Sequence, residues 1–188
     1  MNTELIDTLS SIVENACKAE SNAFGYGIWS HHIYPMVPIA QHLAQQFGAD
    51  EEIVMIATLL HDLAGIQHAE DAPEHHIVGA LRAAEILQAH QYPAERIRAV
   101  QQCIHNHRGS VNRHKSTVEE VCVADADAIV HMTEIASLFY VVYKEREMSI
   151  DHGKQWLKEK IQRDWEKMSE KSKVLFESKY RAIVEVLQ

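Results

Sequence analysis

Residues 53–65 read IVMIATLLHDLAG, an apolar run that ends in an adjacent histidine and aspartate, His61 and Asp62. Ile53, Ile56, Ala57 and Leu60 recur at helical spacing and share one face. Asp50 is a good N-cap ahead of Glu51 and Glu52, and Gly65 supplies the stop. Two polar, metal-competent side chains at the end of so apolar a helix need partners. Either they cap the helix against a neighbouring backbone, or they belong to a site assembled with other segments.

Upstream, a first amphipathic helix over residues 3–20 carries Leu5, Leu9, Ile12, Val13 and Ala16 on one stripe. Pro35 suits the first turn of a second helix that runs to Phe47 and ends at Gly48. Its stripe of Met36, Ile39, Ala40, Leu43 and Phe47, extended back one turn, reaches His32 rather than His31. Downstream, Asp71 and Glu74 form a capping box around Pro73. A helix over roughly 74–91 then buries Ile77, Ala80, Leu81, Ala84 and Leu87. It carries His76 at the edge of that stripe and turns His75 toward Arg82 and Glu85. Pro93 opens the next helix, where Ile97, Val100 and Ile104 point inward and His107 follows on the same face.

Residues 108–117, RGSVNRHKST, form a basic loop in an acidic protein. Arg108, Arg113, His114 and Lys115 there are suited to clamping a polyanion, with Arg108 favoured because it adjoins His107. A long helix over about 118–143 contains ADADA, with Asp125 and Asp127 two positions apart and therefore on nearly opposite sides. Periodicity places Asp125 on the more apolar face, with Val121, Cys122 and Ile129. Two amphipathic helices within residues 150–188 close the chain as a cover. Their Trp156, Trp165 and Phe176 serve either as core or as a homodimer face, and core is the expectation.

The 188 residues suffice for one domain with a core and are too few for two. Only 7 Gly and 4 Pro, with long runs of 3.6-residue period, predict an all-α fold. A net charge of −9 argues against general nucleic-acid or membrane-surface binding while allowing a local basic pocket. The 3 cysteines, at unrelated spacings, suggest neither a disulfide framework nor a zinc knuckle. With no leader-like or membrane-spanning stretch, a cytoplasmic location is the expectation. The 13 histidines are the one compositional excess, and most fall between His31 and His131.

His32, His61, Asp62 and one of Asp125 or Asp127 are thus inward candidates on different helices. Such a mixed nitrogen and oxygen set suits a divalent ion: Mn, Fe, Co, Ni, Zn or Mg. These residues resemble the HD-domain metal-dependent phosphohydrolases. The matching pieces are His32 in HHIYPMVPIAQHLA, the pair His61-Asp62 in ATLLHDLAG, and Asp127 in ADADAI, spanning about residues 29–132. The resemblance implies an HD-type helical bundle with the terminal helices packed on its core. It implies one metal ion held by His32, His61, Asp62 and Asp127, and it favours Asp127 over Asp125. Some members of the superfamily hold a second ion through two further histidines, for which His76 and His107 stand in the right order. Otherwise those two line the pocket, and a single ion is the expectation.

The implied activity is hydrolysis of a phosphate ester or anhydride in a small phosphorylated metabolite, a nucleotide being the expected class. Asp62 would act as ligand and proton acceptor, His107, His76 or His131 as proton donor, and Arg108 and His131 as substrate contacts. The alternatives are a di-iron HD-type oxygenase and a non-catalytic metal- or nucleotide-binding regulator. Leu63-Ala64-Gly65 lacks the acidic residues found at this point in alarmone hydrolases, and no Gly-Tyr-Pro follows His107 as in one phosphodiesterase subgroup. Tyr34 and Pro35 stand where many relatives carry arginine.

Overall fold

The apolar helix at 53–65 lies at the centre of an all-α bundle. A computed structural model describes residues 1–108 and 114–188. Arg113 of the basic loop lies outside the described residues. The first helix, α1 (Thr3–Lys18), is capped by Asn2 and buries Leu5, Leu9, Val13 and Cys17. A π-helical turn, Trp29–Ile33, leads into α2 (Tyr34–Phe47), which ends at Gly48 with φ 72°. Helix α3 (Glu51–Leu60) is capped by Asp50, whose side chain accepts from the N–H of Ile53, and every residue from Ile53 to Leu60 is buried. A helix apolar all round belongs inside a bundle, and α3 packs on α1, α2 and two later helices.

The stop does not fall at Gly65. Helix α3 ends at Leu60, His61 and Asp62 form the turn, and a short helix α4 (Leu63–Gln67) follows. Gly65 lies within that helix, where a Cβ would make ordinary van der Waals contact, 3.4 Å from the Cα of Ala72 and 3.6 Å from the Cβ of His75. The next segment, Ala69–Glu74, is a 3₁₀ turn, so the expected capping box is replaced by direct continuation into α5 (His75–Ala89), which has no side-chain cap.

The packed face of α5 also differs from expectation. Ile77 and Leu81 are exposed, whereas His76, Gly79, Ala80, Ala83, Ala84 and Leu87 are buried. Small residues let α5 approach its neighbours closely: a Cβ on Gly79 would sit 3.3 Å from the carbonyl of His61 and 3.5 Å from Ile104. Helix α6 (Ala94–Asn106) packs along α5, with Ile97, Val100, Cys103 and Ile104 inside. Helix α7 (Val118–Thr133) carries both aspartates of ADADA and packs on α2. It stops at Glu134, ahead of α8 (Ile135–Tyr140) and a π-helical turn (Val141–Glu145), so the expected single long helix is broken.

Helices α9 (Ile150–Lys167) and α10 (Glu170–Val186) close the bundle, each capped by a serine, Ser149 and Ser169. Leu157, Ile161, Met168, Ile183 and Leu187 are buried, and Trp165 stacks on Tyr180 with centroids 4.2 Å apart. Trp156, Trp165 and Phe176 pack half-buried against the core. Among the described residues, no helix is long and apolar enough to cross a membrane.

Candidate metal centre

Three helix ends and two helix interiors bring histidines and carboxylates to one point. His61 follows the last residue of α3, and its Nδ1 lies 2.8 Å from the carbonyl oxygen of Thr58. His107 follows α6 in the same way, with Nδ1 2.5 Å from the carbonyl of Ile104. His75 opens α5, with Nδ1 2.8 Å from the carbonyl of Ala72. When Nδ1–H donates to a carbonyl three residues back, Nε2 keeps its lone pair and is aimed outward, which is how metal-binding histidines are oriented. The carbonyl ends of α3 and α6 also make the point attractive to a cation.

Those Nε2 atoms surround Asp62. Its Oδ2 lies 3.2 Å from Nε2 of His61 and 3.4 Å from Nε2 of His32. Its Oδ1 lies 3.4 Å from Nε2 of His75 and 3.9 Å from Nε2 of His107. His32 comes from the π-helical turn, a local widening often found at functional sites. Its Nε2 also stands 3.1 Å from that of His61 and 3.6 Å from Oδ1 of Asp127. Among the described residues, two sets have ligand atoms close enough to hold a metal ion, His32–His61–Asp127 and His61–Asp62–His107.

The structure separates residues that the sequence left paired. Asp127 faces the cluster. Asp125 points the other way, where it is fully buried and accepts from the backbone N–H of Ser169 at 3.1 Å and its hydroxyl at 2.6 Å. His75, rather than His76, is the α5 histidine beside Asp62. The expectation that His76 faces the site and His75 faces Arg82 is corrected by the small-residue face of α5, which turns the helix by one position. His76 is buried behind it, 3.5 Å from the Arg108 guanidinium. Arg108 also donates to the carbonyl of Pro73 and lines the site. His114 is exposed, and Lys115 is half-buried.

The remaining wall comes from α9. Lys160, Arg163, Asp164 and Lys167 line the same cavity of about 260 Å³ as His32, Asp62, His75, Asp127 and His131. The Lys167 ammonium is 2.6 Å from Oδ2 of Asp127, and its side chain is only 7% exposed. Lys160 donates to both oxygens of Asp164, at 2.9 and 2.8 Å, and to Nδ1 of His131 at 3.0 Å. His131 stacks on His32 with centroids 5.0 Å apart. None of these α9 residues was singled out from the sequence. The clue was Asp164, a carboxylate one turn along from Ile161 and one before Met168 on a buried stripe.

The electrostatics keep the ligand atoms in usable forms. Burial opposes ionisation of Asp62, but His61 and the bond from His32 hold its carboxyl well below the usual range. Burial likewise opposes ionisation of Asp127, and Lys167 and His131 outweigh it. Burial, reinforced by the charge of His61, pulls His107 down to about 3, so its imidazole is neutral. Burial works against a charge on His61 too, yet the adjacent Asp62 pushes it up to about 9. A metal ion would take the place of that proton. Burial, then Lys160, lowers His131.

Residues 29–132, which contain His32, His61, Asp62 and Asp127, match the HD-domain family model. The chain belongs to the HD-domain family. It superposes on Bacillus subtilis YpgQ, solved in complex with ADP, with a TM-score of 0.72 and 19% identity over 97% of this chain and 93% of that one. A Bacillus thuringiensis protein described as an HD-superfamily hydrolase gives a TM-score of 0.73 and 22% identity over 100% of this chain and 95% of the other. At these identities the likeness is one of fold. No curated protein sequence matches the chain.

Proposed function

We propose that the protein is a metal-dependent phosphohydrolase acting on a small phosphorylated metabolite, in the first instance a nucleotide. The observation that carries this reading is the Asp62 carboxylate, each oxygen of which faces a different pair of histidine Nε2 atoms within 4 Å. The donor set fits divalent ions that accept mixed imidazole and carboxylate ligands. One ion would be held by His32, His61, Asp62 and Asp127. A second would be held by Asp62, His75 and His107, with His75 in the place first assigned to His76.

An ion held by these residues would supply Lewis acidity, lowering the pKa of a bound water toward neutrality and polarising a phosphoryl oxygen. The chain's own residues do the rest. Asp62, ionised and central, takes the proton of the attacking water. His131, whose Nδ1 lies 3.0 Å from the Lys160 ammonium and 3.1 Å from Oδ2 of Asp164, presents its Nε2 edge on the Asp127 side of the cavity to a substrate oxygen. Arg108, fixed by the Pro73 carbonyl, places a guanidinium at the rim for a phosphate. His76 supports Arg108 from behind and is given no role at the reacting atoms.

The test is phosphate release from a panel of nucleotides and phosphoesters with Mn²⁺, Co²⁺, Ni²⁺ or Mg²⁺, alongside metal analysis of wild type and His61→Ala. Release that disappears with the metal in His61→Ala is expected. No release from any compound would overturn the reading. The flanking of Asp62 by His75 and His107 also suits a di-iron oxygenase. Oxygen consumption by the iron-loaded protein, lost in His75→Ala, would select that alternative.

A further inference from the structure

The two oxygens of Asp127 meet different surroundings. Oδ1 lies 3.6 Å from Nε2 of His32 and 3.9 Å from Nε2 of His131, on the side where the histidines converge. Oδ2 lies 2.6 Å from the ammonium of Lys167, whose side chain is almost fully buried. That ammonium is itself fixed, 3.4 Å from the carbonyl oxygen of His107 at the end of α6 and 3.9 Å from Oδ1 of Asp164. Side chains and backbone of α6, α7 and α9 thus locate one cation against one oxygen of Asp127. Given that Asp127 is a metal ligand, as in the function proposed above, we propose that Lys167 is a positioning residue. It keeps Oδ2 off the ion, so that Asp127 ligates through Oδ1 alone and a coordination position is left for water or substrate.

A carboxylate can bind an ion through one oxygen or through both. Binding through both would bring the dication against the oxygen that already accepts from Lys167, and two positive charges beside one buried atom repel strongly where water is scarce. Lys167 has no better place to go, because Asp164 is already engaged by Lys160 at 2.9 and 2.8 Å. Ligation through Oδ1 disturbs neither contact. A catalytic centre needs an open position, and an outer hydrogen bond on a ligand carboxylate is a common means of orienting it.

The number of exchangeable waters on bound Mn²⁺, read from the relaxation that the loaded protein imparts to water protons, tests this without turnover. Lys167→Met is expected to hold Mn²⁺ as tightly as wild type or up to about tenfold tighter, since a repelling charge is gone, while losing about one exchangeable water. A role confined to holding α9 in place would change the melting temperature and leave the water count alone. An unchanged count in Lys167→Met, or Mn²⁺ affinity weakened tenfold or more, would overturn the proposal. Wild type provides a second measurement that does not depend on how the variant folds. Its infrared difference on Mn²⁺ binding, assigned by loss of the signal in Asp127→Asn, should show the wide separation of antisymmetric and symmetric carboxylate stretches that one-oxygen ligation gives. The narrow separation of two-oxygen ligation would overturn the proposal. Mn²⁺ affinity unchanged in Asp127→Asn would remove Asp127 from the ligand set and this role of Lys167 with it. Affinity that depends on Asp127, with a water count indifferent to Lys167, would remove the role of Lys167 alone. A water count that responds to Lys167, with no phosphate released from any compound, would remove the hydrolase reading and leave the positioning role standing.

Discussion

The Asp125 carboxylate holds both the backbone N–H and the hydroxyl of Ser169, the residue that caps α10. Through this contact, α7 fixes the junction of the two closing helices two residues beyond Lys167. Burial raises the Asp125 carboxyl, and the Ser169 bonds act against that shift. Asp125→Ala strands buried donors, which costs about 1–3 kcal/mol and should lower the melting temperature by several degrees. Metal content should stay at the wild-type level, whereas Asp127→Asn should lower it. Metal loss in Asp125→Ala equal to that in Asp127→Asn would return Asp125 to the ligand set.

His75 and His76 provide a sharper comparison. His75→Ala should reduce bound metal, measured by elemental analysis after loading, and His76→Ala should retain it. The opposite result would show that the α5 face has been assigned one residue out of register.

Gly153 lies inside α9 where a Cβ would come within 2.4 Å of the Tyr143 ring and 2.5 Å of the buried Val142 side chain. Gly153→Ala gains about 1 kcal/mol of helix propensity, but overpacking costs about 1–3 kcal/mol. Because Val142 is fully buried, the overpacking cost should win. A melting temperature a few degrees below wild type is expected, and a rise would show that the ring and the valine move aside freely.

Arg96 donates to both oxygens of Asp50 and also reaches Glu52. Burial raises the Asp50 carboxyl, but the Arg96 hydrogen bonds more than offset this and hold it below its ordinary value. A depressed folded-state pKa contributes stability above the unfolded pKa, about 4, and loses it as pH falls through the folded value. Arg96→Met should therefore be less stable than wild type at pH 6–7, with the gap closing below about pH 4. Denaturant unfolding across that range checks the sign, and a gap that widened in acid would refute it.

Cys17, Cys103 and Cys122 are all free and buried. Burial, with smaller contributions from Asp62 and Glu14, pushes the Cys17 thiol up to about 12, and burial does the same for Cys122. Thiolate is the reactive form, so a disulfide reagent at pH 8 should titrate almost no thiol in the native protein and all 3 after denaturation. Rapid reaction of one thiol without denaturant would reveal an opening of the bundle near it.

The helical architecture and the positions of His32, His61 and Asp62 were legible because each residue extends or ends a stripe of large apolar side chains. Large side chains mark the buried face of α2 and α3, and the polar residue next in line is carried inward. That logic fails on α5, which packs through Gly79, Ala80, Ala83 and Ala84 while Ile77 and Leu81 face solvent. Shifting the buried face by one residue rotates the helix by about 100°, which is enough to exchange His75 for His76. Asp125 misled for a related reason: its apolar surroundings are real, but its partner is a helix cap 44 residues away that no local pattern announces. The α9 cations were equally silent, since periodicity identifies a covering helix without saying what it covers.

His61, His75 and His107 all rest on main-chain carbonyls, those of Thr58, Ala72 and Ile104. A carbonyl oxygen is present whatever side chain its residue carries, so no single substitution at those three positions deletes the support of a ring. Orientation of the imidazoles is thereby insulated from drift in the surrounding sequence, and it can be lost only by moving the end of a helix. The centre is thus robust to mutation of its supports while remaining sensitive to the packing of α3, α5 and α6.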